Sequence, residues 1–305
     1  VTAGDPSGAG ATLRWLGHAT VVLDVGGVRL VTDPLLRPHA GLLRRRSEAP
    51  RRAHWSGADA VLVSHLHHDH AELGSLRLLG DAPVVSGRAN AHWLAAQGLP
   101  AHGLGAHEWW TVPGSAVRVR PVRAEHGHRP MPHRPNATHG FLVVAPGLRV
   151  WFAGDTAPYP RMRHLADLAG GPVDLALVPV GGWGPRLSGG HMDPHQAAVV
   201  CEAVGVRWAV PVHWGTLHAP ASRRLPPGWM DRAGPAFARA LTRRGQVEPV
   251  VLAPGEAVHL GSAVERLGTA GERDDALGGG ADGGDDDGLV DGTAGRADPG
   301  GAPAA

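Results

Sequence analysis

Asp59-Ala-Val-Leu-Val-Ser-His65-Leu-His67-His-Asp69-His70 is the stretch on which the reading of this chain turns. Ala60 to Val63 is a short apolar run rich in β-branched residues and bounded by polar ones, which predicts a buried strand ending at Ser64. A loop of donor side chains follows. His65 and His67 stand two residues apart, and Asp69 with His70 comes directly after, so two nitrogen donors precede an oxygen and nitrogen pair. Borderline cations such as zinc accept this mixture of imidazole and carboxylate, at about 2.0–2.2 Å. Accident is the competing reading, because the chain holds 20 histidines. With independent positions the pattern would arise in roughly one such sequence in two hundred.

Working outward, a binuclear site needs about seven protein donors if each cation takes three or four and one donor is shared. The loop supplies four, so the others are expected at later strand ends. His126 follows a strand ending at Val122, Asp155 follows Val150-Trp-Phe-Ala-Gly154, and His213 follows Ala209-Val-Pro-Val212. Each is an apolar strand that terminates in a donor. That form places the donors on one edge of the sheets, where rigid elements hold ligands within the tolerance that metal geometry demands.

The remaining pattern is α/β. Ala19 to Thr32 reads as a hairpin about Asp24-Val-Gly-Gly27, and Leu35 to Arg52, proline-flanked and basic, as a surface excursion in which Arg44-Arg45-Arg46 is solvated. Glu72 to Leu79 and Arg88 to Gln97 carry helical spacing on either side of the strand-like Pro83 to Val85. Four strands are expected at Glu108–Val112, Ala116–Val122, Gly140–Ala145 and Arg149–Ala153, with Pro113-Gly114 and Pro146-Gly147 as hairpin turns of a second, mostly antiparallel sheet. Then come a helix over 158–169, a strand at Val173–Val180, a helix at Pro194–Val204, a strand at Trp208–Val212 and a helix about Pro235–Arg243. Short strands at Val250–Leu252 and Ala257–Leu260 end the domain.

The domain is therefore expected over residues 12–265, between a disordered 1–11 and a disordered 266–305 of mostly Gly, Ala and Asp that cannot bury enough surface to offset its ordering entropy. Residues 271–305 hold nine acids against two arginines, so the rest of the chain is net positive by eight although the whole is +1. A basic body favours anionic substrates through long-range steering, although an ordinary solvated surface explains it equally well. Cys201 has no second cysteine to pair with, which fits a reducing compartment and excludes a cysteine-rich zinc site. No secretory signal and no apolar run long enough to span a bilayer is visible, and a cytoplasmic protein is expected.

His65-Leu-His67-His-Asp69-His70, Ala153-Gly-Asp155-Thr156 and Val212-His213-Trp-Gly-Thr216 resemble the metallo-β-lactamase superfamily. Within it, Trp15-Leu-Gly-His-Ala-Thr20, Glu108-Trp-Trp110, His191-Met-Asp-Pro194 and His213-Trp-Gly-Thr216 are most similar to the branch of N-acyl-phosphatidylethanolamine-hydrolysing phospholipase D. The resemblance covers about residues 12–260. It implies a four-layer αββα sandwich with a dinuclear centre at one edge, where His65, His67 and His126 hold one cation, Asp69, His70 and His213 the other, and Asp155 bridges them. Zinc is expected, with manganese or iron as alternatives. That branch's membrane-binding surface rests on apolar loops, whereas Gly181 to Gly190 is glycine-rich with Trp183 and Leu187 as its only large apolar side chains.

The expected activity is hydrolysis of a small anionic ester by a hydroxide held between the cations. The ester is a phosphodiester or, as in the ascorbate-6-phosphate lactonase relatives, a phosphorylated lactone. Asp69 and His191 are the expected catalytic residues. His191 stands on a glycine-flanked loop with no structural reason to be there, which suggests contact with substrate or protonation of the leaving group. Asp193 is explained as a helix N-cap before Pro194. His18 and Asp33 are candidates to orient a metal-bound imidazole, a satisfied turn histidine being an equal reading of His18. His128, His133, His139 and His218 read as surface or packing residues, and Cys201 as core. A metal-dependent nuclease is the alternative activity, although no ordered aromatic and basic patch is apparent and nucleic acid is not an expected partner. A di-iron oxygen-reducing module or a non-enzymatic, metal-binding remnant is disfavoured by the imidazole at His67 and by the presence of all seven donors.

Overall fold

The computed structural model describes residues 10–127, 134–224 and 226–267. Its strands are β1 (Ala11–Gly17), β2 (Thr20–Val25), β3 (Val28–Thr32), β4 (His39–Ala40), β5 (Leu43–Arg45), β6 (Ala60–Leu62), β7 (Val84–Gly87), β8 (Ala101–Leu104) and β9 (Trp110–Thr111). They continue as β10 (Arg118–Arg123), β11 (His139–Ala145), β12 (Leu148–Phe152), β13 (Leu175–Pro179), β14 (Trp208–Val212), β15 (Leu217–His218), β16 (Glu248–Pro249), β17 (Ala257–Leu260) and β18 (Val264–Leu267). The α-helices are α1 (Leu73–Leu78), α2 (Arg88–Ala96), α3 (Leu165–Ala169), α4 (Pro194–Val204) and α5 (Ala233–Arg244).

Two large sheets face each other. The first runs β18-β17-β1-β2-β3-β6-β7-β8, the second β16-β14-β13-β12-β11-β10-β9. Alternation along the strands divides their side chains between two cores, because successive residues point to opposite faces. Phe141, Val143, Val150, Phe152, Leu175 and Leu177 meet Leu13, Trp15, Val21, Leu23 and Leu30 between the sheets. Leu142, Trp151, Ala176 and Val178, one residue out of phase, pack outward against Ala197, Cys201, Phe237 and Leu241 of α4 and α5. On the outer face of the first sheet, Val61 and Val84 pack against Leu76 of α1 and Leu94 of α2. The layers are therefore α, β, β and α, as expected.

The hairpin β2–β3 and the four-strand run β9 to β12 form as the turns suggest, antiparallel throughout. The second sheet is not mostly antiparallel, however. β12, β13, β14 and β16 pair parallel, because α3, α4 and α5 intervene as crossovers, and parallel neighbours need such connections. The first sheet is likewise antiparallel from β18 to β3 and parallel from β3 to β8.

Several local expectations are corrected. Leu35 to Arg52 is partly interior: β4 and β5 join β15 in a third small sheet, and Leu35, Leu36, Ala40 and Arg45 are buried. The Arg45 guanidinium donates to the Leu35 and Leu16 carbonyls at 2.9 and 2.5 Å, and burial pulls its pKa down to about 10. Val250 to Leu252 is no strand. Val250 and Leu252 are apolar because they fill the core between the sheets, and the ladder against β14 involves Glu248–Pro249 instead. The 158–169 helix is a 3₁₀ turn, Pro160–His164, followed by α3. β8 and β18 were not anticipated. Described strands run from Ala11 to Leu267. Among the described residues no helix is long and apolar enough to cross a membrane.

Candidate metal centre

Donor side chains leave the ends of six strands at one edge of the sandwich. His18 follows β1, Asp33 follows β3, His65 to His70 follow β6, and His126, Asp155 and His213 follow β10, β12 and β14. His18, Asp33 and His213 have φ of 53°, 32° and 62°, and among the described residues they are the non-glycine residues with positive φ. Such a backbone costs roughly 1–2 kcal/mol per residue. Strain of this kind persists only where surrounding contacts over-determine it, commonly at functional sites.

The structure brings all seven expected donors together. His67 Nδ1 lies 2.9 Å from His65 Nε2 and 3.1 Å from His126 Nε2. A ring nitrogen carries at most one hydrogen, so His67 Nδ1 cannot donate to both. The remaining contact sets lone pair against lone pair unless a cation lies among the three. On the other side His70 Nε2 and His213 Nε2 are 3.0 Å apart, with Asp69 Oδ2 at 3.7 and 3.6 Å. Tetrahedral ligands at about 2.0–2.1 Å from a zinc ion would be roughly 3.3–3.4 Å from one another, close to these spacings.

Asp155 stands between the groups. Its Oδ2 is 3.2 Å from His70 and His213, 3.8 Å from His126 and 4.0 Å from His65, while its Oδ1 is buried without a hydrogen-bond partner. A buried carboxylate oxygen left bare is costly, and a cation would satisfy it.

Outward-facing ring nitrogens confirm which atoms point inward. Ser64 Oγ donates to Asp33 Oδ2 at 2.5 Å and is left to accept from His65 Nδ1 at 3.0 Å. His70 Nδ1 donates to Asp33 Oδ2 at 2.6 Å, His126 Nδ1 to the Gly190 carbonyl at 2.9 Å, and His213 Nδ1 to the Gly181 carbonyl at 3.0 Å. Each of these four rings thus hydrogen-bonds outward through Nδ1 and turns Nε2 toward the centre, the arrangement that outer hydrogen bonds impose on metal-binding imidazoles. His67 is reversed: Nδ1 faces inward and Nε2 meets the Asn136 side-chain amide at 2.9 Å.

Burial holds the His65, His126 and His67 imidazoles below their ordinary pKa, His67 at about 4, so their lone pairs are free at neutral pH. Burial also works against the His70 cation, but the carboxylates of Asp155, Asp69 and Asp33 outweigh it and raise His70 well above the usual value. For Asp69 and Asp155, burial is overcome by the neighbouring imidazoles, and both are held well below the carboxylate range. The centre thus balances three carboxylates against positive charge, which a proton on His70 or a cation can supply.

His191 completes the near side, its Nε2 3.2 Å from Asp155 Oδ2 and its Nδ1 3.1 Å from the Ser188 carbonyl. Burial lowers its pKa, but the Asp155 bond prevails and the net shift is upward. Asp193 is the expected cap: it accepts from Gln196 N at 2.8 Å in a capping box. His139 and His218 are buried packing residues, His139 accepting from Gly87 N at 3.0 Å. His128 and His133 lie outside the described residues. Ser64 and Asn136 were not anticipated. Ser64 directly precedes the first donor, a signal available in the sequence, whereas Asn136 reaches His67 across the fold.

Two mixed sheets with helices outside hold a convergent imidazole and carboxylate cluster at one edge, and proteins similar to this chain are named as metal-dependent hydrolases. The chain belongs to the beta-lactamase superfamily, whose domain it matches over residues 28–214. It is 29% identical over 240 residues to N-acyl-phosphatidylethanolamine-hydrolyzing phospholipase D 1 of Caenorhabditis elegans, covering 71% of this chain and 67% of that protein. It is also 29% identical over 252 residues to a UPF0173 metal-dependent hydrolase of Symbiobacterium thermophilum, covering 81% and 99%. A metallo hydrolase from Ignicoccus hospitalis shares the fold with a TM-score of 0.65 at 20% identity, over 82% of this chain and 98% of that one.

Proposed function

We propose that the centre holds two divalent cations, one by His65, His67 and His126 and one by Asp69, His70 and His213 with Asp155 between, and that the enzyme hydrolyses a phosphodiester. The observation that carries this is the position of Asp155, one oxygen of which faces imidazoles of both clusters. Zinc suits the donor set, and manganese or iron would also be accepted. When bound, such a pair lowers the pKa of a water and polarises the ester oxygen.

The chain supplies the remainder. Asp69 opens onto a cleft of about 550 Å³ and orients the attacking water. His191, with oxygens facing both ring nitrogens, is favoured as an imidazolium and delivers the Nε2 proton to the departing oxygen. Leu42, Leu43 and Trp183 line the cleft, and among its described lining residues there is no arginine. A phosphodiester carries its single charge at the reacting phosphorus. A phosphorylated lactone carries its phosphate away from the reacting carbonyl and needs a separate cationic partner. The lining therefore supports the diester, with an apolar ester group against Trp183, and it weighs against nucleic acid, whose neighbouring phosphates need cations too. The nematode relative is named as a phospholipase D, which agrees with a diester.

The test is turnover of a panel of phosphodiesters and phosphorylated lactones by the zinc-loaded chain, its His65→Ala variant and its Asp155→Asn variant. Diester hydrolysis should fall by at least about 100-fold in both, more than the loss usual for outer-shell changes. Full activity in both would remove this centre from the chemistry.

A further inference from the structure

Four imidazoles about the centre follow one rule: Nδ1 points outward to a protein oxygen and Nε2 points inward. His18 breaks it. Its ring is fully buried, with its centroid 4.0 Å from that of His213, so by proximity it belongs with Asp69, His70 and His213. Yet its Nε2 lies 3.0 Å from Asp69 Oδ2, and its other nitrogen, Nδ1, is buried with no partner.

The two placements of the ring proton are not equivalent. With the proton on Nδ1, a buried donor would be unsatisfied and the Nε2 lone pair would face a carboxylate oxygen, two unfavourable contacts. With the proton on Nε2, His18 donates to Asp69 and only a weaker acceptor is left bare. A doubly protonated ring would also carry a hydrogen on Nε2. The nitrogen nearest the centre is therefore a donor and offers no lone pair to a cation.

The backbone is anchored to serve this placement. His18 N–H donates to Thr216 Oγ1 at 2.7 Å, and its carbonyl accepts from His213 N–H at 2.8 Å and Trp15 Nε1 at 2.9 Å. His18 is thus tied to the strand end that carries His213, and its ring packs against those of His213 and His70.

We infer that His18 is a positioning residue for one cation only: by donating to Asp69 Oδ2 it fixes that carboxylate for the ion shared with His70 and His213, and it leaves the three-imidazole site untouched. The inference rests on the dinuclear reading above. Outer hydrogen bonds of this kind are worth about 10–100-fold in metal affinity. His18 therefore contributes about that factor to the affinity of one site and not of the other.

The experiment is zinc titration of the chelator-stripped full chain in competition with a fluorescent chelator, with bound metal counted by elemental analysis. His18→Asn is the informative change, because asparagine tolerates positive φ and keeps the backbone anchors, but its amide reaches only the Nδ1 position. His18→Gln places an amide nitrogen at the Nε2 position and restores the donor. In wild type two equivalents are expected. In His18→Asn one equivalent should bind unchanged and the other should weaken by about 10–100-fold, and in His18→Gln that weakened equivalent should recover most of the loss. Two equivalents both as tight in His18→Asn as in wild type overturn the inference. So does equal weakening of both equivalents, or an undiminished defect in His18→Gln, since either marks a general structural role. A wild-type chain that takes up fewer than two equivalents fails at the dinuclear reading itself, which separates the two failures.

Discussion

Gly190→Ala tests whether backbone packing positions a donor. Gly190 has φ of +84°, and a Cβ there would lie 2.1 Å from the His126 carbonyl oxygen and 2.4 Å from its carbonyl carbon. Real Cβ contacts stay above 3.0 Å, so relief requires a displacement of about 1 Å, and the obstacle is backbone that cannot rotate aside. The same glycine's carbonyl holds His126 Nδ1 at 2.9 Å, so the ring moves with the clash. Metal sites tolerate about 0.2 Å in ligand position, several times less than this shift. Left-handed strain of roughly 1–2 kcal/mol adds to an overpacking cost of roughly 1–3 kcal/mol. Thermal unfolding of the metal-free chain should therefore report a loss of roughly 2–5 kcal/mol, and zinc competition a weakening of at least about 10-fold. Gly189→Ala is the internal control, since a Cβ there meets nothing within 4 Å. Wild-type zinc affinity in Gly190→Ala would refute the reasoning.

Asp33→Asn leaves one acceptor for three donors, Ser64 N–H, Ser64 Oγ–H and His70 Nδ1–H, now bound at 2.7, 2.5 and 2.6 Å. Breaking a buried charged pair of this kind costs about 3–5 kcal/mol, which denaturant unfolding will measure. Zinc uptake should release protons. The carboxylates Asp155, Asp69 and Asp33, prevailing over burial, keep His70 protonated in the metal-free chain, and that proton must leave before Nε2 can bind. Affinity should accordingly rise with pH until His70 is neutral, and a weakly buffered titration will register the acid set free. The metal-free stability due to His70 should be full below pH 6.5 and disappear as pH rises through its elevated folded value. The part due to Asp69 and Asp155 is present above 3.8 and disappears as pH falls through their depressed values. Cys201, buried with its thiol pushed up by burial, should react with maleimide only as the chain unfolds, so its labelling rate should track denaturant.

Much of the architecture is legible where pattern and burial coincide. β13 is apolar at every position because it is buried on both faces, and α4 announces its start by Asp193-Pro194 and a matching Gln196. Reading fails where one residue type serves two environments. Arg44, Arg45 and Arg46 are identical in sequence terms, yet only Arg45 turns inward to satisfy carbonyls of Leu16 and Leu35. β8, Ala101-His-Gly-Leu104, is a half-exposed edge strand whose composition carries little signal. Val250 and Leu252 mislead in the opposite sense, since core packing alone accounts for their apolarity.

At the centre the division has a physical basis. Donors within a few residues of one another, His65 to His70, are announced by the chain itself, because a strand end followed by a tight loop constrains their relative positions with few degrees of freedom. His126, Asp155 and His213 were also recoverable, as donors closing apolar strands. Which ring nitrogen faces inward depends instead on partners distant in the chain: Asp33 for His70, Gly190 for His126, Gly181 for His213 and Asn136 for His67. The inverted role of His18 is of the same origin, for a hydrogen bond spanning 51 residues exists only after β1 and β6 have taken their places in one sheet.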